Sequence, residues 1–231
     1  KPFIEHLYNF VKGSNFFTIL TDESGCILNV IGDEGILEEA FAIKMIPGAY
    51  MDEENIGTNA MSLALTEKKP IQISGEDHYI KAYHKWTCSA APIMDANNKL
   101  IGVLDLTGYY DSVNSHTLGM VVAAVHAIEK MLEIVEYNKK LESAKIYTDT
   151  IIDSIPAGIM TSDLDGNIIT VNKHMLYLFG YTEEEMKQNK AYSLFEDWDN
   201  AIKAIRLNDN YLDKDVFVNS RKNVLQYNLS V

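Results

Sequence analysis

Between Asn114 and Ile155 the chain has no proline and only one glycine, Gly119, so helix-favouring residues continue without a break. At about 1.5 Å per residue a helix of this length reaches roughly 60 Å, more than the width of a domain, so it must link parts of the molecule rather than fill one globule. Asn114 or Ser115 can cap its first amides, and Pro156 stops it by removing a donor and restricting Ile155. The apolar positions change rhythm partway. Leu118, Val121, Val122, Val125, Ile128, Leu132 and Val135 form the wide stripe of a helix packed on a globular core. Ile134, Tyr137, Leu141, Ala144, Thr148, Ile151 and Ile155 then alternate by three and four, the spacing of a coiled-coil seam. The second half is therefore expected to pair with a second copy, or else to pack on its own C-terminal domain. Lys140 and Lys145 would face each other across a parallel seam and weaken it there.

Elsewhere the pattern is shorter-ranged. Phe3, Leu7, Phe10 and Val11 share one helical face close to Lys1, so an entry helix is expected and the chain reads as part of a longer protein. Asn15 to Thr21 and Cys26 to Gly32 read as strands around an Asp22–Gly25 turn. Helices are predicted over 33–45, where Pro47 and Gly48 break the pattern, and over 57–68, followed by a strand at 70–74. The stretch from Gly75 to Trp86, crowded with aromatic and histidine residues, reads as a loop or lid. Thr87 to Met94 and Leu100 to Thr107 form a second hairpin around Asp95–Asn98. The expected sum is an α+β fold, an antiparallel sheet with helices gathered on one side.

Beyond Pro156 the logic repeats. Gly158 to Ser162 and Asn167 to Asn172 flank an Asp163–Gly166 turn, and Thr182 with Glu185 forms a TxxE capping box. A short helix over 198–207 precedes two alternating strands around Ser220–Asn223. The anticipated layout is a first domain at 1–132, a connecting helix at 133–155 and a second domain at 156–231.

Charge and cysteine content narrow the classes. With 33 acidic against 20 basic residues the net charge is -13, which repels phosphate and argues against direct nucleic-acid binding. No apolar run is long enough to span a membrane. Cys26 and Cys88 form no CxxC pair, which fits a reducing cytoplasm rather than a disulfide framework or a zinc ribbon.

The run GTNAMSLALTEKKPIQISGEDHYIKAYHKWTCSAAPIMDANNKLIGVLDLTG, Gly57 to Gly108, resembles the GAF sensor domain of sigma-54-dependent activators of the acetoin-catabolism and dihydroxyacetone regulator type. TDESGCILNVIGD upstream and SHTLGMVVAAVHAIEKML downstream extend the resemblance over residues 3–132. IIDSIPAGIMTSDLDGNIITVNKHMLYLFGYTEEEM is similar to a PAS domain, one that lacks its last strand in this chain. The resemblance implies a cytoplasmic, non-enzymatic sensor, dimeric through the linking helix. An AAA+ ATPase and a DNA-binding domain would lie in other parts of the protein, since no GxxxxGK[ST] loop is present. A histidine kinase or a cyclic-nucleotide enzyme using the same modules is the principal alternative, and a methionine sulfoxide reductase is a third.

Candidate chemistry follows from residue types. Asn59, Tyr79, Tyr83, His84, Trp86 and Cys88 combine apolar faces with polar tips suited to gripping an organic effector beneath the lid. Cys88 with His84 is the only pair that hints at a nucleophile, and nothing orients the histidine, so catalysis is not expected. Asp77, His78, His84 and Cys88 match no metal-ligand spacing, and His174 does not fit a haem-ligand segment, so no metal or cofactor is expected. In the second domain Phe179, Tyr181, Phe195 and Trp198 are pocket candidates, with core packing the competing role. The seam candidates are Ile134, Tyr137, Leu141, Ala144 and Ile151. Asp52, Glu53 and Glu54 offer an acidic surface to a protein partner.

Overall fold

The computed structural model describes residues 8–9, 12–112, 115–195, 198–207, 214–219 and 224–229. Phe3, Leu7, Phe10 and Val11 of the anticipated entry helix, the cap candidate Asn114 and the Ser220–Asn223 turn lie outside them. The chain divides into two compact units, Lys1–Lys139 and Lys140–Val231.

In the first unit, strands β1 (Phe16–Asp22), β2 (Ile27–Gly32), β3 (Ile71–Ser74), β4 (Trp86–Met94) and β5 (Leu100–Tyr109) form an antiparallel sheet of order β2-β1-β5-β4-β3. Its hairpins turn by one device. The carboxylate of Asp22 accepts from the amides of Ser24 (2.9 Å) and Cys26 (3.0 Å), and that of Asp95 accepts from Asn97 (2.8 Å) and Lys99 (2.9 Å). A short polar side chain that folds back on the next amides is what makes aspartate a turn former.

Helices α1 (Glu34–Ala42), α2 (Glu53–Ile56) and α3 (Ala60–Glu67) connect β2 to β3, and α4 (Ser115–Ser154) follows β5. The helices are not gathered on one side as the pattern suggests. Ile36 and Ala40 of α1 and Ala60, Met61 and Ala64 of α3 pack with Phe17, Ile19, Cys88 and Val103 in one cluster. Val121 and Val125 of α4 pack with Ala91, Ile93, Leu104 and Leu106 in another. Leu104 and Val103 are consecutive on β5 and point to opposite faces, so the sheet is covered on both. The physical reason lies in β4 and β5: nearly every residue of both strands is buried, and a strand apolar on both faces needs two layers over it.

The wide stripe on α4 seals the second face as far as Leu132, where Val121 and Val125 each contribute roughly 1.5–3 kcal/mol by burial. Val135, assigned to the same stripe by its spacing, is instead exposed. From there to Ser154 the helix buries very little. Ile134, Tyr137, Leu141 and Ile151 are all exposed, Tyr137 by 68% and Leu141 by 57%. Leu141 and Ile151, which belong to the second unit, stay outside its core cluster.

The second unit contains hairpins β6 (Met160–Ser162) with β7 (Ile168–Val171) and β8 (Lys214–Asn219) with β9 (Val224–Leu229), each paired internally among the described residues. Helices α5 (Lys173–Phe179), α6 (Glu183–Gln188), α7 (Ala191–Leu194) and α8 (Trp198–Arg206) lie between the hairpins in sequence. The capping box at Thr182 and Glu185 is present. Asn172 ties the unit together. Its Oδ1 accepts from the amides of Ile159 (2.8 Å) and Met175 (2.9 Å), and its Nδ2 donates to the carbonyls of Ile152 (3.1 Å) and Ala157 (2.8 Å). One buried side chain thus caps α5 and holds the last turn of α4. Beside it Asp153 pairs with Lys173 at 2.9 Å and accepts from the Lys173 amide at 2.9 Å.

Candidate functional site

The interior face of the first sheet, the one covered by α1 and α3, carries the chemistry. Side chains alternate along strands, so Trp86, Cys88 and Ala90 of β4 share this face with Tyr109, Thr107 and Asp105 of β5, directly opposite them in register. Phe17 stands opposite Thr107, and Ile19 opposite Asp105, on β1. Trp86 is fully buried: Tyr109 stacks on it with centroids 4.9 Å apart, Phe17 meets it edge-on at 5.4 Å, and the Lys85 ammonium stands 4.7 Å from its ring centroid. Lys85 also pairs with Glu39 on α1, which accepts from the Tyr109 hydroxyl at 2.6 Å. Those two donors hold the Glu39 carboxyl below its ordinary range.

Asp105 is completely buried, flanked on β5 by the apolar Leu104 and Leu106. Its Oδ2 lies 2.5 Å from the Thr107 hydroxyl, which is 3.1 Å from the Cys88 sulfur. The hydroxyl has one proton, and the shorter contact to an acceptor that can carry charge takes it, leaving the Cys88 thiol to donate to Thr107. Burial drives the Asp105 carboxyl up to about 7, the Thr107 bond offsetting only part of that. Burial, reinforced by Asp105, also raises the Cys88 thiol well above its ordinary value, so it stays protonated. A thiol kept neutral is a poor nucleophile, and His84 gives it no base: the His84 Nε2 lies 3.1 Å from the carbonyl of His78.

The lid segment is built from two short turns, Gly75–Asp77 and Lys81–Tyr83. It sends residues both inward and outward. His78 and Tyr83 are buried, their rings edge-to-face at 6.2 Å. The His78 Nδ1 donates to the Gly75 carbonyl at 3.1 Å, and burial lowers the imidazole pKa, so the ring is neutral with a lone pair on Nε2. Tyr79 turns outward and is 78% exposed, its inner side lying over Gly57. Gly57 has φ +71°, and a Cβ there would come within 2.5 Å of the Tyr79 ring, so both backbone and packing require glycine.

Asn59 has a different role from its neighbours in the candidate set. It is the N-cap of α3: Oδ1 accepts from Met61 and Ser62, both at 3.0 Å, while Nδ2 donates to Met51 (3.1 Å) and Gly57 (2.9 Å). All of its hydrogen-bonding capacity is used by the protein. Two of the acidic-surface residues are similarly engaged, since Asp52 caps α2 through Asn55 and Glu53 accepts from Thr58 and Ser62 at 3.0 Å.

Of the six first-domain candidates, the structure brings Tyr83, Trp86 and Cys88 into one cluster, leaves His84 half-buried at its edge, and puts Tyr79 outside. The spacing missed Asp105. Its signal was a lone carboxylate amid the apolar run Ile101–Leu106. In the second unit Phe179 and Phe195 are core residues with rings 5.8 Å apart, and Tyr181 and Trp198 pack against the same cluster. An opening of about 450 Å3 in this unit is lined instead by residues including Lys145, Asp149, Asp153, Lys173 and Glu183.

Residues 3–130 match the model of the MimR N-terminal domain, which covers more than half of the chain. The chain belongs to that family. Residues 156–228 match a PAS domain, and the pair forms the GAF-like and PAS region found in sigma-54 activators such as AcoR, DhaR and MimR. The whole chain is 35% identical to a signal-transduction and transcriptional-control protein of Clostridium beijerinckii, of which it spans 36%. Over 68% of its length it is 34% identical to the acetoin dehydrogenase operon transcriptional activator AcoR of Bacillus subtilis, covering 26% of that protein. The chain thus spans about a third or less of these two relatives. The solved complex of E. coli DhaR(N) with DhaL superposes with a TM-score of 0.88 at 18% identity, over 99% of this chain and 78% of that one, a likeness of fold. Among the described residues no helix is long and apolar enough to cross a membrane.

Proposed function

We propose that this region receives a signal at the interior face and lid of its GAF-like unit, and that α4 carries the signal as a parallel pair with a second copy of the chain. The PAS unit and the activator's remaining domains, an AAA+ ATPase and a DNA-binding domain, would then read the change in that pair. The observation that supports this most is the apolar row Ile134, Tyr137, Leu141 and Ile151, which falls on the positions of a heptad seam, is exposed along the second half of α4, and is followed by a helix end fixed through Asn172. A ligand that changes how the first half sits on its sheet biases the geometry of such a row.

A protein signal is the second reading. It is favoured by the outward-facing Tyr79, and it has a counterpart in the complex of E. coli DhaR(N) with DhaL. Either input uses the same output helix.

Helical phase tests the relay. In a longer activator carrying this region, one residue inserted after Lys140 rotates everything downstream by about 100°, whereas seven residues restore the face to within about 20°. Transcription from a dependent promoter should lose its response with one residue and regain it with seven. An equal response to both would overturn the relay.

A further inference from the structure

The opening of about 450 Å3 in the second unit runs along the flank of α4. Ile152 of α4, Ile169 of β7 and Leu176 of α5 give it an apolar lining. Ile169 is 57% exposed, on the face of β7 opposite the buried Ile168. The charged groups at its margin are already matched: Asp153 pairs with Lys173 at 2.9 Å, and Glu183 with Lys187 at 2.6 Å. An ion entering there would have to break one of these pairs. A neutral group with an apolar body and a polar tip suits the lining as it stands.

The heptad of α4 identifies what can reach it. With Leu141, Thr148 and Ile155 at a and Ala144 and Ile151 at d, Lys145 and Ile152 fall at e, and Lys140 and Tyr147 at g. In a parallel pair a g residue lies against the e residue of the next heptad on the other helix. Tyr147 of a second copy is thereby brought to Ile152, whose side chain lines the opening and whose carbonyl is held by Asn172 at 3.1 Å. Tyr147 is 70% exposed in the single chain. Lys145, the other e residue in the lining, meets Lys140 of the second copy instead, so of the two g residues only the neutral Tyr147 gains from the approach.

We propose that this opening is a docking site for a second copy of the chain, and that it receives the partner's Tyr147, seated between Ile152 and Ile169. The twofold symmetry of a parallel pair makes the contact twice. The proposal rests on the parallel pairing put forward above and adds where that pair touches the PAS fold. A change in the geometry of the pair then moves a ring that contacts β7 of the other copy. The signal reaches each PAS unit from its partner's helix as well as from its own.

Methyl NMR on mixed dimers of the 231-residue chain tests it. One copy is deuterated with 13C-labelled isoleucine δ1-methyl groups, and the other is unlabelled. The Ile152 and Ile169 signals, assigned with Ile152→Val and Ile169→Val, should show magnetisation transfer to aromatic protons of the unlabelled copy. Tyr147→Leu in the unlabelled copy should abolish that transfer, and Tyr147→Phe should restore it, at concentrations where sedimentation equilibrium finds each mixture dimeric. Tyr147→Leu in both copies should weaken association by at least about fivefold, the scale of one aromatic contact. A dimer without the transfer, or a transfer that survives Tyr147→Leu, overturns this docking site and leaves the relay standing. A chain that stays monomeric overturns both.

Discussion

Both halves of α4 carry large apolar residues, and those residues have different fates. Before Leu132 the helix lays Val121 and Val125 on the sheet face formed by Ala91, Ile93, Leu104 and Leu106. After it, Ile134 and Tyr137 are exposed in the first unit, and Leu141 and Ile151 stay exposed in the second, which also holds the PAS fold. The difference is one of spacing. A stripe broad enough to face a sheet needs three or four apolar positions per two turns, whereas a seam that repeats every 3.5 residues fits a second helix. Under the proposed relay, the apolar residues left in water along this half are the surface that a second copy would cover.

The strongest way to break the comparison is to place a charge on each half. Val121→Asp buries a carboxylate against Leu104 and Leu106 and should cost about 4 kcal/mol or more, abolishing cooperative urea unfolding of the first unit. Leu141→Asp should leave that transition where it is. Equal losses would mean that the second half is also part of a core.

Next in size is the far anchor. Asn172→Ala removes a cap and the two donated bonds to Ile152 and Ala157, and should lower the stability of the second unit by about 2–3 kcal/mol in urea denaturation, with the first unit unaffected. Asn59→Ala should do the same in the first unit only, since its partners lie there.

A smaller and pH-dependent effect belongs to the sheet that the first half covers. The carboxyl of Asp105 titrates at about 7 in the fold, against 3.8 ordinarily. Its contribution to stability is therefore fully present below about 4 and is lost as pH rises towards 7, with a slope of at most about 1.4 kcal/mol per pH unit. Thermal unfolding of the first unit should show this decline, and Asp105→Asn should flatten it. A slope that survives the substitution would assign the titration to another group.

The smallest expected change sharpens the seam itself. Lys145→Glu would turn the repulsion with Lys140 of a parallel partner into attraction, and should tighten association by less than about 1 kcal/mol, more at low salt. Weaker association would indicate an antiparallel pair or a different register.

Much of this was readable from residue order. The three Asp-led turns, at Asp22, Asp95 and Asp163, announced their hairpins because a short carboxylate bonds the amides that follow it. The break at Pro156 ended α4 because proline cannot continue a helix. Other features depended on tertiary partners. That α4 would cover the opposite face from α3 follows only once β4 and β5 are known to be buried on both sides. The short helix α2 escaped notice because its acidic residues read as a solvated surface, while Asp52 in fact caps it. Asp105 was hidden because a single carboxylate in an apolar run gains meaning only from Thr107 and Cys88 across the strand. Tyr79 and Trp86 are both aromatic residues of one segment, and only the turns at Gly75 and Lys81 decide that one faces out and the other in.

The central claim is that the second half of α4 pairs two copies of the chain. Sedimentation equilibrium of the 231-residue chain and of Leu141→Glu tests it most directly, with urea unfolding of each confirming an intact first unit. The account predicts a dimer for the original chain and at least a tenfold weaker association for the variant at unchanged stability of that unit. The same association state for both would contradict it.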